Sequence, residues 1–129
     1  MFTIEQIRTV HAKVKSGADF PQYVQDIRML GVHAYDAYVT DGHSDFYGAD
    51  NYKISSPSKY PVKEIAPSGN AAQLKQALVI HQQGQTDYLA FCDQAAAAGV
   101  EKWTTYVTSM EVVYYDKAGN ALLTEVIPR

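Results

Sequence analysis

The chain repeats itself, and no other feature constrains its fold as much. Displaced by 68 positions, GVHAYDAYVT (31–40) falls on GVEKWTTYVT (99–108) with five identities in ten. Tyr35 meets Trp103, Asp19-Phe20 meets Asp87-Tyr88, Tyr23 meets Phe91, Phe46-Tyr47 meets Tyr114-Tyr115, and Ile54 meets Leu122. One position shorter, Ile7 meets Leu74, Arg8 meets Lys75 and Gly17 meets Gly84. A half of roughly 55 to 60 residues is only marginally stable alone. Two like halves can share one sheet about a pseudo-two-fold axis. The expectation is an α+β fold made by internal duplication of an α-α-β-β-β unit, with an antiparallel sheet and helices packed on one face. Residues 1–129 form a single domain, with pseudo-repeats 1–56 and 70–127 joined by a Pro-rich linker, 57–69.

Local signals fill in each half. Thr3 with Gln6 forms a capping box, Ile4, Ile7, Val10, His11 and Val14 follow at helical spacing, and Gly17 supplies a stop. A second helix starts near Asp19 with Pro21 in its first turn and ends at Gly31. Val32 to Thr40 reads as a strand, Asp41-Gly42-His43-Ser44 as a turn, and Asp45–Tyr47 and Tyr52–Ser55 as two short strands. Pro57, Pro61 and Pro67 mark the linker, with a short edge strand expected at Tyr60–Ile65. Asn70 with Gln73 then opens a third helix that Gly84 stops. Thr86 or Asp87 opens a fourth that ends at Gly99. Val100–Thr108, Glu111–Tyr115 and Ala121–Ile127 are strands, the last two a hairpin around Asp116–Asn120.

Period-two reading sorts the matched strands into two faces. Tyr35, Ala37, Val39, Trp103, Thr105 and Val107 share the face assigned to the core under the helices. Asp36, Tyr38, Thr40, Thr104, Tyr106 and Thr108 share the other, which is polar and aromatic. Of these, Asp36, Tyr38, Thr104 and Tyr106 are the candidate ligand or partner face. Tyr38 and Tyr106 occupy equivalent positions in the two halves.

Composition excludes several classes. The net charge is −3 over 129 residues, with Lys and Arg scattered. No stretch has the basic density that phosphate-backbone binding requires, which argues against nucleic acid as a partner. The single cysteine cannot close an internal disulfide. No leader segment and no apolar run of spanning length is read, so the expectation is a cytoplasmic protein with no membrane partner.

YVTDGHSDFYG, YKISSPSKY, HQQGQTDYLAFC and YYDKAGN…EVIP together resemble the YdfO-like family of uncharacterised bacterial, often prophage-encoded proteins. Some of these carry the label "phage envelope protein". The resemblance spans nearly the whole chain. It implies an α+β domain of unknown function and supplies no catalytic residues.

His43 is the most suggestive single residue. Flanked by Asp41 and Asp45, it suits a general base or a metal ligand. A polar hairpin turn explains the same residues. The second half has Thr108-Ser109-Met110-Glu111 there, so His43 is not part of the repeated scaffold. His11 and His81 fall on apolar helical stripes and read as interior or boundary histidines with a hydrogen-bond partner. His33 has no metal-ligand spacing to a neighbour. Cys92 lies mid-stripe beside Phe91 and reads as a small buried hydrophobe. No phosphate-cradling glycine motif and no nucleophile elbow occurs. No metal site and no cofactor is expected. The ten tyrosines fall largely on strands, where sheet packing accounts for most of them.

Three functions remain. The first is a non-enzymatic binding module for an unknown protein or small molecule, with homodimerisation through the sheet left open. The second is a hydrolase-like or metal-assisted enzyme centred on His43, Asp41 and Asp45, completed by Glu111 or a Tyr hydroxyl. The third, a phage structural protein, comes from the family resemblance alone.

Overall fold

The computed structural model describes residues 1–15 and 17–128. Helix α1 (Ile4–His11) begins at Thr3, whose hydroxyl accepts from the Gln6 backbone N–H while the Gln6 side chain accepts from Thr3 N–H. The helix does not run on to Gly17. Lys13 N–H bonds to Val10 and Val14 N–H to His11, so the last turn tightens to i→i−3 bonding and closes early. Gly17 belongs instead to a 3₁₀ turn, Gly17–Asp19. Helix α2 (Phe20–Leu30) has Pro in its first turn and ends at Gly31, whose φ of +107° suits glycine.

Three strands follow: β1 (Ala34–Tyr38), β2 (Ser44–Tyr47) and β3 (Lys53–Ser55). The second set of elements has the same sequence. Helix α3 (Ala71–Gln82) is capped by the Asn70 side chain, and α4 (Tyr88–Ala97) by that of Asp87. Strands β4 (Lys102–Tyr106), β5 (Glu111–Tyr115) and β6 (Ala121–Val126) complete the chain. The two long strand readings overshoot: Val32-His33 and Val39-Thr40 lie outside β1, and Val100-Glu101 and Val107-Thr108 outside β4.

The edge strand expected at Tyr60–Ile65 does not form. Pro61 removes a donor, and the neighbouring backbone bonds elsewhere. Lys59 and Tyr60 N–H both reach the Asp41 carbonyl, and Lys63 N–H reaches Thr40. Tyr60 Oη donates to the Val39 carbonyl at 2.7 Å. Its ring lies so close to Gly42 that a Cβ there would meet it at 2.7 Å. The proline-rich segment therefore clamps the β1–β2 turn, which carries Asp41 and His43. Farther on, Ala66 and Asn70 bond to Ala96 and Ala98 at the end of α4.

All six strands form one antiparallel sheet in the order β3-β2-β1-β4-β5-β6. The central pair joins Ala34 to Tyr106, Asp36 to Thr104 and Tyr38 to Lys102. Ala34 pairs with Tyr47 in β1–β2, as Lys102 pairs with Tyr115 in β4–β5. At the edges Tyr47 pairs with Lys53 and Tyr115 with Ala121, although a register shift at Tyr114/Tyr115 separates β5–β6 from β2–β3 elsewhere.

Tyr35, Ala37, Phe46, Trp103, Val112 and Tyr114 turn one face of the sheet into the core. The ring contacts from helix to sheet reach that face: Tyr23 on Tyr35, and Tyr88 and Phe91 on Trp103. Cys92 is fully buried, and burial pushes its thiol up, against lowering contacts from the Tyr60 and Tyr88 hydroxyls. A thiolate-specific reagent is expected to leave Cys92 unmodified in native protein and to modify it fully in denaturant. Rapid labelling of folded protein would contradict this burial.

Candidate functional site

The other face of the sheet carries the polar residues, and strand register arranges them in three rows. One row runs His43, Tyr38, Lys102, Tyr115. The middle row runs Ser55, Asp45, Asp36, Thr104, Val113, Thr124. The third runs Lys53, Tyr47, Ala34, Tyr106, Glu111, Val126. The two groups of residues that the sequence singled out separately, Asp41/His43/Asp45 and Asp36/Tyr38/Thr104/Tyr106, thus share one surface.

Asp36 is its centre. The carboxylate is 6% exposed, which requires polar partners. Thr104 Oγ1 donates to Oδ1 at 2.5 Å, and Tyr47 Oη donates to Oδ2 at 3.1 Å. Lys102 Nζ stands 3.5 Å from Oδ2. Lys102 also lies 5.8 Å from the Tyr38 ring centre and 5.7 Å from that of Tyr115, within cation–π range of both. Asp45, directly across from Asp36, accepts from Ser55 Oγ at 2.6 Å and is 3.8 Å from Lys53 Nζ.

The β1–β2 turn adds a histidine in a fixed pose. His43 Nδ1 lies 2.5 Å from Asp41 Oδ1, and Nε2 is 3.8 Å from Asp45 Oδ1. The ring stacks on Tyr38 at 4.3 Å with planes 7° apart. An Nδ1–H donated to Asp41 leaves Nε2 facing Asp45. Burial opposes ionisation of Asp41, but hydrogen bonds from the His43 ring and backbone outweigh it and hold the carboxyl below its ordinary value. Among the described residues, no hydrogen bond or ion pair joins His43 to Glu111 or to a tyrosine hydroxyl. Among the described residues, no group of three or more His, Cys, Asp or Glu is placed to hold a metal ion.

Tyr38, Tyr47 and Tyr115 are held as phenols. Burial, then the charges of Asp36 and Asp45, raises Tyr38. Tyr47 is raised by burial, then by the charge of Asp36 and the bond to it. Tyr115 is pushed up to about 12, first by its 2.9 Å hydrogen bond with Tyr106, then by burial. A raised folded value contributes stability below the ordinary phenol value of 10, and that contribution is lost as pH rises through the folded value. In an alkaline titration followed by ring NMR signals, Tyr38, Tyr47 and Tyr115 should therefore ionise only as circular dichroism is lost, above about pH 10. Ionisation of these three rings near pH 10 with the fold intact would contradict it.

The remaining histidines and the concave surface lie elsewhere. His81 is a boundary residue, with Nδ1 3.0 Å from the Thr86 carbonyl and its ring 4.8 Å from that of Phe91. His11 is exposed, edge-on to Tyr23, and His33 is exposed. The two best-formed hollows among the described residues, about 90 and 80 Å³, lie along α1–α2 and beside Pro128, and no open-face residue lines either. Both fall well short of the ~300 Å³ that encloses an ordinary small ligand.

Sequence reasoning missed Lys102 and did not place Tyr47 and Tyr115 beside Tyr38 and Tyr106. The signal was there: period-two reading of β2 and β5, once paired to β1 and β4, puts both tyrosines on this face.

Fold and site define an α+β protein that presents an uncovered sheet face of tyrosines around a buried carboxylate. The chain belongs to the family described as "Protein of unknown function (DUF1398)", whose model matches residues 8–126. No curated protein matches the sequence. Among the described residues, no helix is long and apolar enough to cross a membrane.

Proposed function

We propose that this protein is a non-enzymatic binding module that uses the sheet face around Asp36, Tyr38, Thr104 and Tyr106 to hold a partner. One observation carries the reading: four tyrosines, a buried hydrogen-bonded carboxylate and a stacked histidine lie together on a face that the helices leave uncovered. Tyrosine offers broad contact area with a polar tip at small entropic cost, which suits recognition. Neither of the two hollows described above lies on this face, which favours a macromolecular partner over an enclosed small molecule. A Tyr38→Ala/Tyr106→Ala double variant should fold normally and lose at least about tenfold in affinity for whatever native protein retains. A folded double variant with undiminished binding would refute the reading.

The internal duplication belongs to this proposal. Its support is the sheet register, in which the Ala34–Tyr47 and Lys102–Tyr115 pairs correspond at the sequence displacement, and the central pair sets Asp36 against its counterpart Thr104. YdfO-like, prophage kinship and a cytoplasmic location stay with it too, the first on the shared motifs, the second on the free thiol of Cys92.

A second reading draws on the Asp41–His43 pair, which orients an imidazole as a general base requires. It predicts that His43→Ala abolishes a hydrolytic activity while leaving partner binding unchanged. Binding lost with His43 and no hydrolysis of ester or phosphoester probes by native protein would count against it.

A further inference from the structure

Two positions on the open face have the same neighbours and different side chains. Lys102 stands between Tyr38 and Tyr115 on adjoining strands. Ala34 stands between Tyr106 and Tyr47 in the same way. Both positions flank Asp36, Ala34 two residues away on its own strand. At the first, the chain's own ammonium lies over both rings and 3.5 Å from Asp36 Oδ2. At the second there is only a methyl group. The first position shows what chemical group this pattern of two tyrosines and a carboxylate accommodates.

We infer that the strip over Ala34, between Tyr47 and Tyr106 and beside Asp36, receives a lysine or arginine side chain from a protein partner. The inference rests on the binding-face reading above. Charge complementarity selects the cation: Asp36, Asp45 and Glu111 lie on or beside the strip, against two ammonium groups, Lys102 beside Asp36 and Lys53 beside Asp45, which leaves the carboxylates in excess by one. The Tyr106 ring adds cation–π attraction, strongest for a partly desolvated cation, and the Tyr47 ring adds it alongside Lys53, whose Nζ already lies 6.0 Å from its centre. After burial, the charges of Asp36 and Asp45 raise the phenols of Tyr38 and Tyr47, in keeping with a negative local field. Ala34 lines neither of the two hollows described above, which favours a side chain delivered by a polypeptide, whose backbone supplies further contacts across the rows.

The test is a ¹⁵N-edited NMR titration of full-length protein with a capped Gly-Arg-Gly-Arg-Gly peptide. The control peptide carries citrulline for arginine, keeping shape and removing charge. Shifts are expected at Ala34, Tyr47 and Tyr106, with binding at least about tenfold weaker for the citrulline peptide. Ala34→Lys, which supplies the cation internally, should keep the fold and weaken the arginine peptide by a similar factor. Equal binding of both peptides at these residues would overturn the cationic inference and leave the binding face standing. So would unchanged binding to folded Ala34→Lys. Shifts confined to the helical side with either peptide, or none with both, would overturn the inference and the face together. Free arginine amide binding as tightly as the peptide would overturn the polypeptide assignment.

Discussion

Gly99→Ala is expected to destabilise the protein by about 3–4 kcal/mol, a large share of the ~5–15 kcal/mol available to a domain of this kind. Two costs add. Gly99 has φ +82°, and an L-residue in that region costs about 1–2 kcal/mol. A Cβ there would also strike the Ser68 carbonyl and come within 2.7 Å of Gly69 Cα. These are backbone atoms, held in place by the Asn70 N–H bond to Ala98 at 2.8 Å, and cannot rotate aside as a side-chain tip can. Forced overpacking of this kind adds roughly 1–3 kcal/mol. Gly119 is the control: its φ is +86°, yet nothing lies within 4 Å of an added Cβ. Gly119→Ala should cost only about 1 kcal/mol, the conformational part. Urea unfolding followed by circular dichroism separates the two. Equal costs would mean that residues 68–70 do not pack against the end of α4.

Trp103→Ala should cost about 4 kcal/mol, in the range for removing a large aromatic side chain from a core. Trp103 is 9% exposed and packs against Tyr88, Phe91 and Tyr114, with ring centres 5.8–6.2 Å away. It joins α4 to the middle of the sheet, and no neighbour can fill the space by a rotamer change alone. Tyr106→Ala, three residues along on the opposite face, removes a 39%-exposed ring and one hydroxyl contact, and should cost under about 1 kcal/mol. The contrast separates residues kept for stability from residues available for recognition. Because Trp103 is the sole tryptophan, the signal must be circular dichroism rather than fluorescence. Similar losses from the two substitutions would mean that the face bearing Tyr106 is as structural as the core.

Element identity was legible wherever local chemistry decides it. Thr3 with Gln6, Asn70 with Gln73, and Asp87 each supply a cap that works from short-range geometry alone. Period two assigned Tyr35 and Trp103 to the core because adjacent residues on a strand must face opposite ways. The failures came where distant groups decide. Nothing near Tyr60 indicates that its neighbours' N–H groups will bond to Asp41 rather than to a strand, because that choice depends on how the β1–β2 turn sits. Lys102 read as one more scattered cation, since its two tyrosines come from β1 and β5. His43 and Asp36 are seven residues apart, and their common surface follows only from the alternation and pairing of β1 and β2.

Site-specific photo-crosslinking in the native host reads directly which surface of the protein meets the partner. A benzophenone side chain would replace Tyr106 on the open face or Met29, 87% exposed on α2. A discrete adduct from position 106, absent from position 29, is the predicted result. Adducts from position 29 alone, or equally from both, would contradict it.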